Sequence, residues 1–255
     1  MFLPFETPTS ILVSGPSQSG KTFLVRRIID NRNEMFQVPP TKVVYAYSAW
    51  QPVFDEMKGV EFHQGLPTQQ DLDEWSNPGT HLVLVLDDLM GEACSSESVM
   101  SIFTIQCHHK NITVLFLTQN VFPPGKYARS ISLNSHYIIL CKSKRDLLQI
   151  QTLGKQIFPG QSSFFVASYQ DAVSQPFGYL VCDLHPGTDK RFQLRTRIFP
   201  DELTWIYTPY KEGETLSPWS FSSGDSEGEH GRAGTALSEI PSPSICETSQ
   251  TSPPE

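Results

Sequence analysis

The 255-residue sequence predicts an α/β domain: a mostly parallel sheet with helices on both faces. Three observations predict it. Several short runs are apolar at every position, Leu82-Val83-Leu84-Val85-Leu86 being the clearest, as strands buried on both faces are. Stretches of helical periodicity separate these runs. Glycine-rich or acidic residues follow two of them, at the strand ends where open α/β sheets bind ligands.

Ile11-Leu12-Val13 reads as the first strand. Gly20 to Arg32 reads as a helix with Phe23, Leu24, Ile28 and Ile29 on one side. Val43–Tyr47 and Leu82–Leu86 are the next strands, followed by a helix over Ser98–Cys107. Ile112–Leu117 and Tyr137–Leu140 are the fourth and fifth strands. Helices are expected from about Lys144 to Gln156 and over Ser163–Val173, and late strands near Tyr179–Cys182 and Phe192–Ile198. Trp50, Phe54, Trp75, Phe103 and Phe116 are expected in the core, and Tyr45 and Tyr47 across one sheet face. His63, His136 and His185 have no partner visible in the sequence.

The first strand runs into Gly15-Pro16-Ser17-Gln18-Ser19-Gly20-Lys21-Thr22, a G-x-x-x-x-G-K-T loop that opens a helix. Its glycines let backbone N–H groups turn toward phosphate oxygens, and the helix N-terminus adds partial positive charge. Lys21 supplies an ammonium for the β- and γ-phosphates, and Thr22 a hydroxyl for Mg²⁺. These residue types in this order are expected to hold the phosphates of ATP. The run Leu82–Leu86 ends in Asp87-Asp88, an apolar strand closing in acid. Asp87 is assigned to the Mg²⁺ shell and Asp88 to orienting and deprotonating the attacking water. Asp88-Leu89-Met90-Gly91 also spells D-x-x-G, a GTPase element, but Thr118-Gln119-Asn120 stands where a guanine-reading N-K-x-D would follow. Gln119, at the end of the fourth strand, is assigned to sensing the γ-phosphate or the water.

Arg129 is the candidate to reach a neighbouring subunit's γ-phosphate, with Arg145 second; the plain alternative is a surface cation. Lys126, Lys142, Lys144 and Arg145 are candidates for a DNA-facing surface or for ordinary solvation.

Residues 1–210 are read as the ATPase domain and 211–255 as a disordered, acidic Ser/Pro/Gly-rich tail. From Lys211 onward there are eight acidic and two basic residues, so most of the net charge of −8 sits in the tail. The near-neutral body excludes a uniformly basic nucleic-acid coat and leaves room for a local basic patch. The five cysteines are irregularly spaced and are expected to be reduced, in an intracellular protein. Cys94, Cys107, His108 and His109 fit no zinc spacing. No apolar run approaches the roughly 18 residues of a membrane span, and no secretory signal is expected.

Taken together, Gly15–Thr22, Leu84–Leu89, Leu117–Asn120 and Tyr127–Ser135, with the Tyr137–Leu140 strand and Lys144-Arg145-Asp146, resemble one family. It is the FtsK/HerA-type packaging ATPases of large, poxvirus-like DNA viruses and Polinton/Maverick transposons. The resemblance spans about residues 8–205. It implies a RecA/ASCE-like P-loop fold and a homo-oligomeric, hexameric ring. It further implies a motor that drives double-stranded DNA into a preformed capsid, at the virion assembly site, with capsid proteins as further partners. Arg129 matches the arginine that acts across subunits, and Asp88 stands where many relatives carry Glu. The rival readings are a nucleotide or small-molecule kinase, for which no arginine-rich lid is found, and a nucleotide-dependent switch or scaffold.

Overall fold

The computed structural model describes residues 2–76 and 79–209 and the backbone of 244–247. β1 (Ser10–Ser14) leads into α1 (Lys21–Asp30) and the short α2 (Arg32–Met35). β2 (Lys42–Tyr47), β3 (Glu61–Gln64), α3 (Gln69–Trp75) and β4 (Leu82–Asp87) follow. Next come α4 (Met90–Ala93), α5 (Glu97–Ser101) and α6 (Cys107–His109), the last two joined by a π-helical segment at Ile102–Gln106. The chain continues through β5 (Ile112–Thr118), α7 (Ala128–Leu133), β6 (Tyr137–Cys141), α8 (Leu147–Ile157) and α9 (Ser162–Ala172). β7 (Tyr179–Asp183), β8 (Leu194–Thr196) and β9 (Trp205–Thr208) complete the body.

The strands form one sheet in the order β9-β8-β7-β6-β1-β5-β4-β2-β3. From β6 to β3 all six are parallel. β7, β8 and β9 then add in antiparallel sense. The sheet is thus mostly parallel, as expected, and one flank, which the sequence did not announce, is antiparallel. The reason is connection type. The α8–α9 helical pair brings the chain back beside β6 pointing the other way, and the links between β7, β8 and β9 carry no crossover helix, which parallel neighbours require. A tenth strand, β10 (Ser244–Glu247), pairs antiparallel with β9. It falls within the segment read as a tail; the other residues of 211–255 lie outside the described ones.

Alternate residues of each parallel strand enter opposite cores. Leu12, Leu84, Leu86, Val114, Phe116 and Ile138 pack with α3, α8 and α9. Ile11, Val13, Val83, Val85, Leu115 and Ile139 pack with Leu24, Val25, Ile28 and Ile29 of α1. β1, β4, β5 and β6 are buried along their whole length, which is why their central residues are apolar, the buried Thr113 of β5 excepted. β3, Glu61-Phe62-His63-Gln64, lies at the sheet edge and has no such run.

Two expectations about side chains are corrected. Trp50 is 50% exposed, although Phe54, Trp75, Phe103 and Phe116 are buried. The histidines have partners, supplied by distant elements. His136 Nδ1 lies 3.1 Å from Ser10 Oγ, its ring meets those of His108 and His185, and His63 meets Trp75. Cys94, Cys107, Cys141 and Cys182 are buried free thiols. Among the described residues no group of three or more His, Cys, Asp or Glu is placed to hold a metal ion, and no helix is long and apolar enough to cross a membrane.

Candidate nucleotide site

The loop between β1 and α1 is shaped by backbone requirements. Gln18 (φ 64°) and Gly20 (φ 94°) are left-handed, and alternation of this kind turns successive N–H groups toward one point. A Cβ on Gly15 would come within 2.6 Å of Ser19 Oγ and 2.8 Å of Cys141 Cβ, so glycine is required there. Among the described residues no side chain caps α1, and an uncapped helix N-terminus can accept an anion. Lys21 Nζ folds back to donate to the carbonyls of Gly15 (2.6 Å) and Pro16 (3.0 Å). Burial lowers its pKa below the usual lysine value, opposed by the nearby Asp87 and Asp88.

β5 lies between β1 and β4, so the loop, the acids and the end of β5 share one side of the sheet. There they enclose a polar cleft of about 200 Å³. Ser17, Gln18, Lys21, Thr22, Asp87, Asp88 and Gln119 all line it. Thus Lys21, Thr22, Asp87, Asp88 and Gln119, predicted from separate stretches, come together.

Asp87, 5% exposed, accepts from Tyr45 Oη at 2.8 Å, and more distantly from Thr22 Oγ1 (3.4 Å) and Gln51 Nε2 (3.5 Å). All three donors are neutral. Desolvation raises the Asp87 pKa, against the Tyr45 hydrogen bond and Lys21. The same burial, with the carboxylate beside it, pushes Tyr45 far above the usual phenol value, so it stays a donor. The hydroxyl of Thr22 beside the Asp87 carboxylate is a pair of hard oxygens, which suits Mg²⁺. Asp88 takes a left-handed φ of 57°, breaking the strand direction after Asp87. It is exposed in the cleft, with Ser48 Oγ at 3.4 Å.

Arg129 is exposed on α7 and does not line the cleft. Arg145 is exposed just before α8. The sequence reading missed Tyr45, Ser48 and Gln51 as neighbours of the acids. Their only signal was position: β2 precedes an all-apolar strand, and polar residues follow its end.

Fold and site together define an α/β domain in which the G-x-x-x-x-G-K-T loop between β1 and α1 adjoins a polar cleft. Solved structures of similar fold include the genome-packaging NTPase B204 of Sulfolobus turreted icosahedral virus 2. Its AMP complex is 11% identical, with TM-score 0.46, covering 69% of this chain and 94% of that one. Its ATP-γ-S complex is 10% identical, with TM-score 0.47 and coverage of 69% and 93%. B204 of Sulfolobus turreted icosahedral virus, a DNA-packaging ATPase, is 10% identical, with TM-score 0.49 and coverage of 69% and 93%. No protein-family model and no curated protein sequence matches the chain.

Proposed function

We propose that the chain is a Mg²⁺-dependent ATPase, and that it works as a motor on double-stranded DNA, packaging a viral or transposon genome into a capsid. One observation carries the ATPase reading: Lys21, Thr22, Asp87, Asp88 and Gln119 line one cleft on the loop side of the sheet. In this reading the loop N–H groups and Lys21 hold the phosphates, and Thr22 and Asp87 hold the metal. Mg²⁺, when bound, offsets the charge developing on the phosphates. Asp88 accepts a proton from the water, and Gln119 orients it for in-line attack. Arg129, lying outside its own cleft, is assigned to a neighbouring subunit's site in a ring. The DNA-packaging part of the proposal rests on the sequence resemblance of Leu117–Asn120 and Tyr127–Ser135.

The test is phosphate release by the purified protein with and without duplex DNA, beside Asp88→Asn. Stimulation by DNA that disappears in the variant supports the motor. Hydrolysis indifferent to DNA removes the packaging reading and leaves the ATPase. Phosphate transfer to an acceptor other than water replaces both with a kinase.

A further inference from the structure

A second cavity, of about 370 Å³, opens on the other flank of the loop. Its walls are Gly20 and Phe23, the turn 174–178 between α9 and β7, and Arg197 against Trp205. The polar cleft uses Lys21 and Thr22 while this cavity uses Gly20 and Phe23, so the loop–helix junction separates the two.

Two aromatic rings of this cavity face solvent: Phe23 is 60% and Phe177 65% exposed. Phe177 also has a φ of 59°, a conformation that a bulky side chain rarely adopts. Its ring stands over the loop, since a Cβ on Gly20 would come within 2.8 Å of Phe177 Cδ1. Folding alone does not select this residue: glycine at 177 would relieve the backbone and remove exposed apolar surface. On the far wall Arg197, also left-handed at φ 54°, lays its guanidinium 4.0 Å from the centre of the Trp205 ring. At the base, Tyr207 Oη donates to Asp171 Oδ2 at 2.7 Å.

We propose that this cavity takes the nucleoside half of a purine nucleoside triphosphate, with the base stacked on Phe177 and Phe23. The proposal rests on the nucleotide reading above and extends it. In a loop of this kind the lysine reaches the β- and γ-phosphates, and backbone N–H groups cradle the α- and β-phosphates. The terminal phosphate therefore points to Lys21 and Asp87. The sugar leaves past the start of α1, on the Phe23 side, where the rings stand. Recognition through ring faces is tolerant of base identity. ATP and GTP are thus expected to bind within a few-fold of one another.

The experiment compares equilibrium binding of ATP and of inorganic tripolyphosphate to the full chain, as wild type, Phe177→Ala, Phe23→Ala and Phe177→Gly. Each loss of a ring is expected to weaken ATP about 10-fold, the scale of one base–aromatic stack, and to leave tripolyphosphate unchanged. The unfolding temperature of each variant should stay at the wild-type value or above it, because both rings are exposed. Equal ATP affinity in wild type and variants overturns the proposal. So does a parallel loss of both ligands, which would mean that the loop itself had been disturbed. If wild type binds neither ligand, the nucleotide reading falls, and this one with it.

Discussion

Asp87 and Asp183 are both buried acids at the last residue of a strand, and the molecule holds them in opposite ways. Asp183 ends β7, on the antiparallel flank, so it lies beside Tyr137 at the start of β6, away from the loop. Its Oδ2 accepts from Arg195 Nη1 at 2.8 Å, in an ion pair with side chains 2% and 3% exposed. Its Oδ1 accepts from Thr188 Oγ1 (2.8 Å) and the His185 N–H (3.1 Å). Asp87 ends β4 on the loop side and, among the described residues, receives neutral donors, while Lys21 donates to Gly15 and Pro16 instead. One flank supplies the countercharge from its own chain. The other leaves a desolvated carboxylate facing a cleft, an arrangement that costs stability and suits a cation brought by a ligand.

The largest expected effect lies on activity. Asp87→Asn and Asp88→Asn should each lower phosphate release per folded molecule by about 10²–10⁴-fold, the scale of a lost acid–base or charge-stabilising group. Asp183→Asn should stay within a few-fold of wild type in the same assay. Comparable losses from Asp87 and Asp183 would erase the distinction between the two sites.

Stability should rank them the other way. Removing one member of the buried pair, by Asp183→Asn or Arg195→Met, should cost about 3–5 kcal/mol in urea unfolding. Replacing both, with Asp183→Leu and Arg195→Met, should recover most of that loss, because no uncompensated charge remains buried. A double variant no better than the singles would show that the pair is not the source of the cost.

A smaller effect of opposite sign is expected at Asp87. Without metal, Asp87→Asn should stabilise the fold by about 0.5–2 kcal/mol, since the amide oxygen still accepts from Tyr45. The sign follows from linkage. The folded carboxyl has a pKa above its ordinary value of 3.8, so between the two values the folded state binds more protons than the unfolded one. Wild-type stability therefore falls as pH rises through that window. The advantage of the variant should be near zero below pH 3.8, and complete above the folded pKa. An advantage that does not change with pH would assign it to packing rather than charge.

The smallest effect is at Lys21, whose folded pKa is lowered from 10.5 by burial. Below 10.5 and above the folded value the unfolded state holds the extra proton, so wild-type stability should rise with pH there. Lys21→Met should remove that slope, as thermal unfolding across the alkaline range would show.

Much of the parallel half was legible because its signals are local. β1, β4, β5 and β6 sit on both cores, and this leaves apolar runs interrupted only by Thr113 in β5. The helix expected over Ser98–Cys107 exists, but as α5, a π-helical segment and α6, since a single inserted residue leaves no mark on a periodicity read over three turns. α3 was passed over although Thr68 and Asp71 form a capping box, because only Leu72 and Trp75 of its residues are buried. Trp50 was misplaced for a related reason: composition alone does not tell a core tryptophan from one lying on an aromatic cluster of Tyr47, Phe54 and Phe62.

By itself the sequence determined the α/β class, the G-x-x-x-x-G-K-T loop after β1 and the two acids at the end of β4. Each of these depends on neighbouring residues and on the period of one element, so contiguous residues carry them in full. Only the tertiary structure decided what meets what. It set β5 between β1 and β4, and brought the Tyr45 hydroxyl to Asp87 across 42 positions. It also closed Arg195 onto Asp183 and stood Phe177 over Gly20. Those contacts follow from sheet order and from the sense in which the chain returns. They are products of long-range packing, and no local pattern of residue types records them.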